Sequence, residues 1–302
     1  MRENTNPGDV ASVPTRPEWL PEDLWPYPLN SMAVDGRRVI YTDTGGHGPV
    51  LLMVHVGLWS MVWGGLIAAL HDGFRCVTLD VPGSGLSDRV PGSEQTLSRA
   101  AEAIGALIDE LSPSPVILMV HDTGGLAALA AASTRPERIA GLVAVNTFVW
   151  PPRGILRLAL RMFGSTAIRE LNAFCGLLAW GSATRFGVGK HLTREHRRAW
   201  RRGLRDRSAR RFTHRMFHDA ARDRGVAEAA AAGLEKLVDR PVMTVFGRLG
   251  DYFRFQRRWR TLRPDATACV VPWGLHIPMS DDPALVAAHL QAWHAAHIAR
   301  RL

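Results

Sequence analysis

Val116-Ile117-Leu118-Met119-Val120 runs directly into His121-Asp122-Thr123-Gly124-Gly125. The apolar run reads as a buried strand, the paired glycines as a tight turn, and the alanine-rich Leu126–Ser133 segment as a helix. A strand that turns sharply into a helix pushes the residue at the turn up into solvent or a pocket, which is how a nucleophile elbow presents its side chain. The usual elbow is Gly-x-Ser-x-Gly; here the central residue is Asp122. A carboxylate nucleophile attacks carbon and leaves an alkyl-enzyme ester, so the residue type points away from a serine esterase. Asp122 also fits a simpler duty, capping the helix that starts near Gly124.

The flanking sequence repeats the pattern. Arg38–Thr42, Val50–Val54, Arg75–Leu79, Gly141–Val145, Val242–Phe246 and Ala268–Val271 are further short apolar runs, while Trp63–Leu70, Leu97–Leu111 and Pro283–Ala299 have helical spacing. Strands alternating with helices predict an α/β fold with a mostly parallel sheet covered on both faces. The alternation stops after Trp150. Arg153–Leu237 is helical, Arg-rich and Ala-rich, and Pro241 opens another buried strand. The expected organisation is an N-terminal arm over residues 1–30, loose over 1–20; a core from 31–150 and 239–302; and a helical cap inserted over 151–238.

Composition narrows the classes. A chain of 302 residues can bury one large α/β core. Three cysteines at unpatterned positions suit a reducing compartment rather than a disulfide framework, and residues 1–20 lack a signal-peptide pattern, so a cytoplasmic protein is expected. No apolar stretch reaches about 18 residues, so no membrane span is expected. The net charge of +9 is unevenly placed: Trp150–Arg240 holds 20 Lys+Arg against 8 Asp+Glu, and the remainder 17 against 20. Such asymmetry can mark a nucleic-acid or membrane surface. The arginines are not interleaved with aromatics as in a stacking platform, so we read them as a solvated helical face, with neither nucleic acid nor membrane as partner. No metal motif is complete. His214 and His218 are four apart, but no Glu makes a His-Glu-x-x-His pattern. No phosphate-binding glycine loop stands at a strand-to-helix junction, so neither metal nor organic cofactor is implied.

Ligands of parallel sheets gather beyond the carboxyl ends of the strands. Asp122, Asp251 and His276 each follow a predicted strand, in the chain order nucleophile, acid, histidine. Each also has a plain reading, Asp251 as part of a Gly-Asp turn and His276 as one of twelve histidines.

The elbow Val120-His121-Asp122-x-Gly124-Gly125 and the loop Asp80-Val-Pro-Gly-Ser-Gly-Leu-Ser-Asp88 resemble those of haloalkane dehalogenases and the related epoxide hydrolases. Asn146-Thr-Phe-Val-Trp150-Pro and His276-Ile-Pro-Met-Ser-Asp-Asp-Pro283 resemble the dehalogenase branch. The resemblance implies an α/β-hydrolase fold and a two-step hydrolysis, and the Trp and Phe of the cap suggest a small apolar or aromatic substrate. Asp122 would displace halide or open an epoxide, and His276, oriented by Asp251, would activate water. Backbone N–H groups of Thr123 and of Gly57 or Val56 would hold the oxyanion. Asn146 occupies the alternative acid position, where an amide is no acid.

The chain departs from both families at the leaving-group donors. Thr123 stands where dehalogenases carry a tryptophan, and His55-Val56-Gly57-Leu58 lacks the halide-binding asparagine. Trp59, Trp150, Trp180, Asn146 and Tyr252 are the candidate replacements. Epoxide hydrolases use cap tyrosines, and Tyr27, Tyr41 and Tyr252 all lie outside the cap; His191, His196, His214 or His218 would be looser substitutes. Dehalogenase and epoxide hydrolase readings therefore both stand, beside a third: a pseudoenzyme that binds a ligand without turnover.

Overall fold

The computed structural model describes residues 14–111 and 113–299. Eight strands form one sheet: β1 (Leu29–Val34), β2 (Arg37–Asp43), β3 (Val50–His55), β4 (Arg75–Asp80), β5 (Val116–His121), β6 (Ile139–Val145), β7 (Val242–Gly247) and β8 (Thr267–Val271). Their spatial order is β1-β2-β4-β3-β5-β6-β7-β8. The β1–β2 and β2–β4 pairs are antiparallel and every other pair is parallel.

The helices α1 (Gly64–Leu70), α2 (Leu97–Glu110) and α3 (Gly124–Ala132) connect the first strands. Between β6 and β7 come α4 (Gly154–Phe163), α5 (Thr166–Cys175), α6 (Leu177–Ser182), α7 (Arg194–Gly203), α8 (Arg207–Ala220) and α9 (Arg224–Lys236). Then α10 (Phe255–Leu262) precedes β8, and α11 (Pro278–Asp281) and α12 (Pro283–His297) complete the described chain.

Strand side chains alternate between two cores. Leu52, Val54, Leu118 and Val120 face the layer that holds α2, α3 and α9. Leu51, Met53, Ile117 and Met119 face the layer of α1 and α12. This is why β3, β5 and β7 are buried at every position and read as unbroken apolar runs. Helix starts follow ordinary capping chemistry: Thr96 Oγ1 accepts from Arg99 N at 3.2 Å, and Asp282 Oδ1 from Leu285 N at 3.0 Å ahead of Pro283.

Two expectations change. Residues 1–13 lie outside the described residues, but the rest of the arm is tied down: within the part expected to be loose Leu20 is fully buried, and beyond it Trp25 Nε1 donates to Thr42 Oγ1 at 3.1 Å. β1, with its Asn30 and Ser31, is an additional edge strand beginning inside that arm. The last inserted helix, α9, packs against α3; a Cβ on Gly233 would lie 2.1 Å from the Leu129 carbonyl oxygen. It belongs with the helices covering the sheet, although the sequence groups it with the cap.

Candidate active site

Asp122 has φ +52, a left-handed conformation that a non-glycine residue adopts only when its surroundings impose it. Both flanking layers do so. A Cβ on Gly124 would lie 3.1 Å from Val54 O and 3.2 Å from Val56 N, and one on Gly125 only 2.1 Å from Thr147 Oγ1. The two glycines let α3 start hard against the ends of β3 and β6, and the turn between β5 and α3 is forced to present Asp122.

His276 lies on the loop after β8, and its Nε2 is 3.2 Å from Asp122 Oδ2. The histidine side chain is 43% exposed and the aspartate side chain 17%. Together they line a cavity of about 160 Å³ whose other walls are overwhelmingly apolar. Phe148 and Phe255 come from the core, and Leu160, Phe163 and Phe217 from α4 and α8. Burial opposes ionisation of Asp122, but the hydrogen bond and charge of His276, and then the Thr123 N–H, hold its carboxyl below the usual range. Burial pulls the His276 imidazole down, and its bond to Asp122 and that carboxylate's charge lift it above its ordinary value. The pairing thus favours the ionised form of Asp122 and the protonated form of His276.

Asp251, expected to orient His276, does something else. Its Oδ1 accepts from Phe255 N at 2.6 Å and its Oδ2 from Gln256 N at 3.1 Å, so the carboxylate caps α10. The residue of this turn that meets the histidine loop is Gly250, where a Cβ would lie 2.5 Å from His276 N. Among the described residues no hydrogen bond joins Asp251 to His276.

The backbone of His276 is held instead. Asn146, at φ +35 after β6, donates through Nδ2 to Leu275 O at 3.0 Å and His276 O at 2.9 Å, while its Oδ1 accepts from Gly247 N at 3.2 Å. Both polar atoms of its side chain are engaged, so Asn146 is a latch between β6, β7 and the histidine loop, and not a leaving-group donor. His121 Nε2 donates to the same His276 carbonyl at 2.8 Å. His55, His121 and His276 form a ladder with ring centroids 4.7 and 4.9 Å apart. Burial chiefly, then the charge of His276, pushes His55 down to about 3. Burial likewise drives His121 well below its ordinary value, aided by the charge of His276. Sequence reasoning missed this ladder; its one signal was a histidine at the last position of each of two buried strands.

The remaining candidates divide. The Thr123 N–H reaches the Asp122 carboxylate, but its hydroxyl donates to Val56 O at 3.0 Å and is no donor for a leaving group. Gly57 does not line the cavity, and its carbonyl accepts from the Thr213 hydroxyl; Val56 N is the amide packed on the elbow. Tyr252 stands at the cavity wall, largely exposed. Trp150 is buried under Arg258, its ring 4.3 Å from the guanidinium carbon, and borders a neighbouring pocket. Trp59 packs against Gly203 and Trp200, and Trp180 is exposed on the insert; neither lines the cavity. No group of three or more potential metal ligands occurs among the described residues.

A family model described as the α/β hydrolase fold matches residues 49–178. The chain is 28% identical over 258 residues to a cis-3-alkyl-4-alkyloxetan-2-one decarboxylase of Shewanella oneidensis, covering 81% of each protein. It is 37% identical to haloalkane dehalogenase 2 of Mycobacterium tuberculosis over 127 residues, 41% of this chain and 44% of the other. A loop variant of a haloalkane dehalogenase from Bradyrhizobium elkanii superposes with a TM-score of 0.71 at 21% identity, covering 89% of this chain and 96% of that one. Sheet order, elbow and family match agree: this is a protein of the α/β-hydrolase fold.

Proposed function

We propose that the chain is an enzyme in which Asp122 attacks an electrophilic sp³ carbon of a small apolar substrate, forming an alkyl-enzyme ester. The observation that carries this reading is the strained, ionised Asp122 carboxylate beside His276 on the wall of an apolar cavity. In the displacement step one carboxylate oxygen bonds to carbon and the leaving group departs with the bonding electrons. Esterification removes the charge on Asp122. What lifted the His276 imidazole is then gone, and the ring passes any proton it holds to the departing group or to solvent, leaving it free to act as a base. His276 takes a proton from water, hydroxide adds to the Asp122 carbonyl carbon, and the Thr123 N–H holds the oxyanion until the alcohol leaves.

Haloalkane hydrolysis is the reading in line with the dehalogenase relatives, and epoxide opening is its alternative. One observation favours a second reading. None of the three candidate indoles lines the cavity and the Thr123 hydroxyl is committed, so a departing halide would find little to hold it. A strained cyclic ester carries its own leaving carboxylate, as in the oxetan-2-ones named for a relative that matches over most of both chains. Attack at the ring carbon bearing oxygen opens the ring. Loss of carbon dioxide with cleavage of the new ester then yields an alkene and frees Asp122.

The test is a His276→Gln variant incubated with haloalkanes, epoxides and 3,4-dialkyl-oxetan-2-ones, followed by peptide mass spectrometry and gas chromatography. A stable adduct on the Asp122 peptide is expected, its mass separating halide loss from epoxide addition. Alkene release from the lactone identifies the decarboxylative route. A folded protein that binds these compounds, without adduct or product from any of them, would leave the ligand-binding pseudoenzyme as the better description.

A further inference from the structure

The inserted helices carry an outer surface that the active site does not explain. Of the sixteen large apolar side chains exposed among the described residues, nine lie between Ile155 and Phe186, 47 to 78% exposed, and of these Phe163 alone lines the cavity. On α4 the spacing Ile155, Leu158, Met162 sets three of them along one helical face. The opposite side of the same helix contributes Leu156, Ala159 and Leu160 to the cavity. One helix therefore separates the apolar cavity from an apolar exterior. Leu171 and Phe174 on α5, and Leu177 and Trp180 on α6, add exposed pairs at helical spacing.

Arginines are set among these side chains. Residues 153–211 hold fourteen Arg and Lys190 against Glu170, Glu195 and Asp206. Sequence order hides how the two kinds meet, and the fold reveals it. Arg201 lies over the Trp180 ring at 4.1 Å, Arg185 over Phe186 at 4.9 Å and Arg207 over Phe174 at 5.8 Å. Trp180 also shares a groove with Arg198, Arg201, Arg202 and Arg205 of α7 and the following turn.

We infer that this surface of the insert docks on an anionic lipid bilayer, apolar side chains entering the interface and arginines meeting lipid phosphates. Charge complementarity selects the occupant. A second copy of the same face would bring like charges together, and a nucleic acid has bases to stack on Trp180 or Phe174 but nothing to cover Ile155, Leu158, Met162 or Leu171. A bilayer satisfies both kinds of side chain, as interfacial amphipathic helices do. No described helix is long and apolar enough to cross a membrane, so the contact is peripheral. The arrangement sets the α4 wall of the cavity against the lipid phase from which an apolar ligand would enter.

The test is co-sedimentation of the full chain with vesicles of phosphatidylcholine alone and of phosphatidylcholine with phosphatidylglycerol. The expected result is partition onto the anionic vesicles only, weaker at about 1 M than at about 0.1 M salt. A Leu158→Ser/Phe174→Ser variant, altered only at exposed positions outside the cavity, should lose about tenfold in partition with its circular dichroism unchanged. Arg198→Glu should weaken binding independently of the apolar positions. Absence of sedimentation with anionic vesicles overturns the inference, as does binding that the Leu158/Phe174 pair leaves unchanged. Binding of single-stranded DNA without vesicle binding overturns it, and so does a soluble dimer that the same pair dissociates.

Discussion

The carboxylate of Asp122 and the imidazole of His276 hold one another's protonation states, and each can be displaced by removing the other. With Asp122→Asn, the bond and charge that lift His276 vanish while burial, which lowers it, remains. A histidine NMR titration should therefore find His276 above the ordinary 6.5 in the wild type and below it in Asp122→Asn. An unmoved titration would show that the two side chains are not coupled in solution. Asp251 is the second decisive residue. If it only caps α10, Asp251→Ala should cost about 1 kcal/mol in a urea titration and lower turnover less than tenfold, approximately. A triad acid would instead take about four orders of magnitude with it. The elbow was legible because a run of buried apolar residues ending in a glycine pair leaves few ways to turn. The acid was not legible, because Phe246-Gly-Arg-Leu-Gly-Asp251 specifies a turn but not which of Gly250 and Asp251 faces the histidine loop. That is decided by the close approach of Gly250 to His276 N, a contact far apart in sequence.

At the scale of elements, the site depends on strand ends being locked to loops from elsewhere in the chain. Asn146 joins β6 to β7 and to the histidine loop by three hydrogen bonds from a nearly buried side chain. Asn146→Ala should cost about 3 kcal/mol, since it strands the Gly247 N–H and the Leu275 carbonyl. On the proposed mechanism, pre-steady-state kinetics should show ester formation little changed and its hydrolysis slowed, because His276, the proposed base, is the group left loose. Asn146→Asp would turn a carboxylate oxygen toward two carbonyls and should rescue nothing. A gain of activity in that variant would mean that this position can act as the acid after all. Gly125→Ala belongs to the same scale: its Cβ would fall 2.1 Å from Thr147 Oγ1, so a loss of about 2 kcal/mol by overpacking is expected in thermal unfolding. The strands facing two cores were readable from continuous apolar runs. β1 was not, because an edge strand with polar residues has only one neighbour to satisfy and no apolar alternation to announce it.

For the whole molecule, the buried histidine ladder links stability to pH. His55 and His121 are neutral in the folded protein, and in the unfolded chain each titrates near 6.5. Below that value the unfolded state binds protons that the folded state refuses, so stability falls as the solution is acidified. With its folded value at about 3, His55 alone should remove about 2 kcal/mol between pH 6.5 and 4.5. His276 acts in the other direction. Its raised value stabilises the fold fully below 6.5, and that contribution is lost as pH rises through the folded value. Asp122 adds no pH dependence in the same window. Its lowered value contributes above 3.8 and is lost only as pH falls through the still lower folded value. The urea midpoint should accordingly be greatest near neutral pH and decline on both sides. In His55→Asn the acid limb should flatten by about one proton, or about 1.4 kcal/mol per pH unit, while the alkaline limb keeps its slope. An acid limb as steep in His55→Asn as in the wild type would mean that His55 is already charged in the folded protein, and the neutral ladder behind Asp122 and His276 would have to be abandoned.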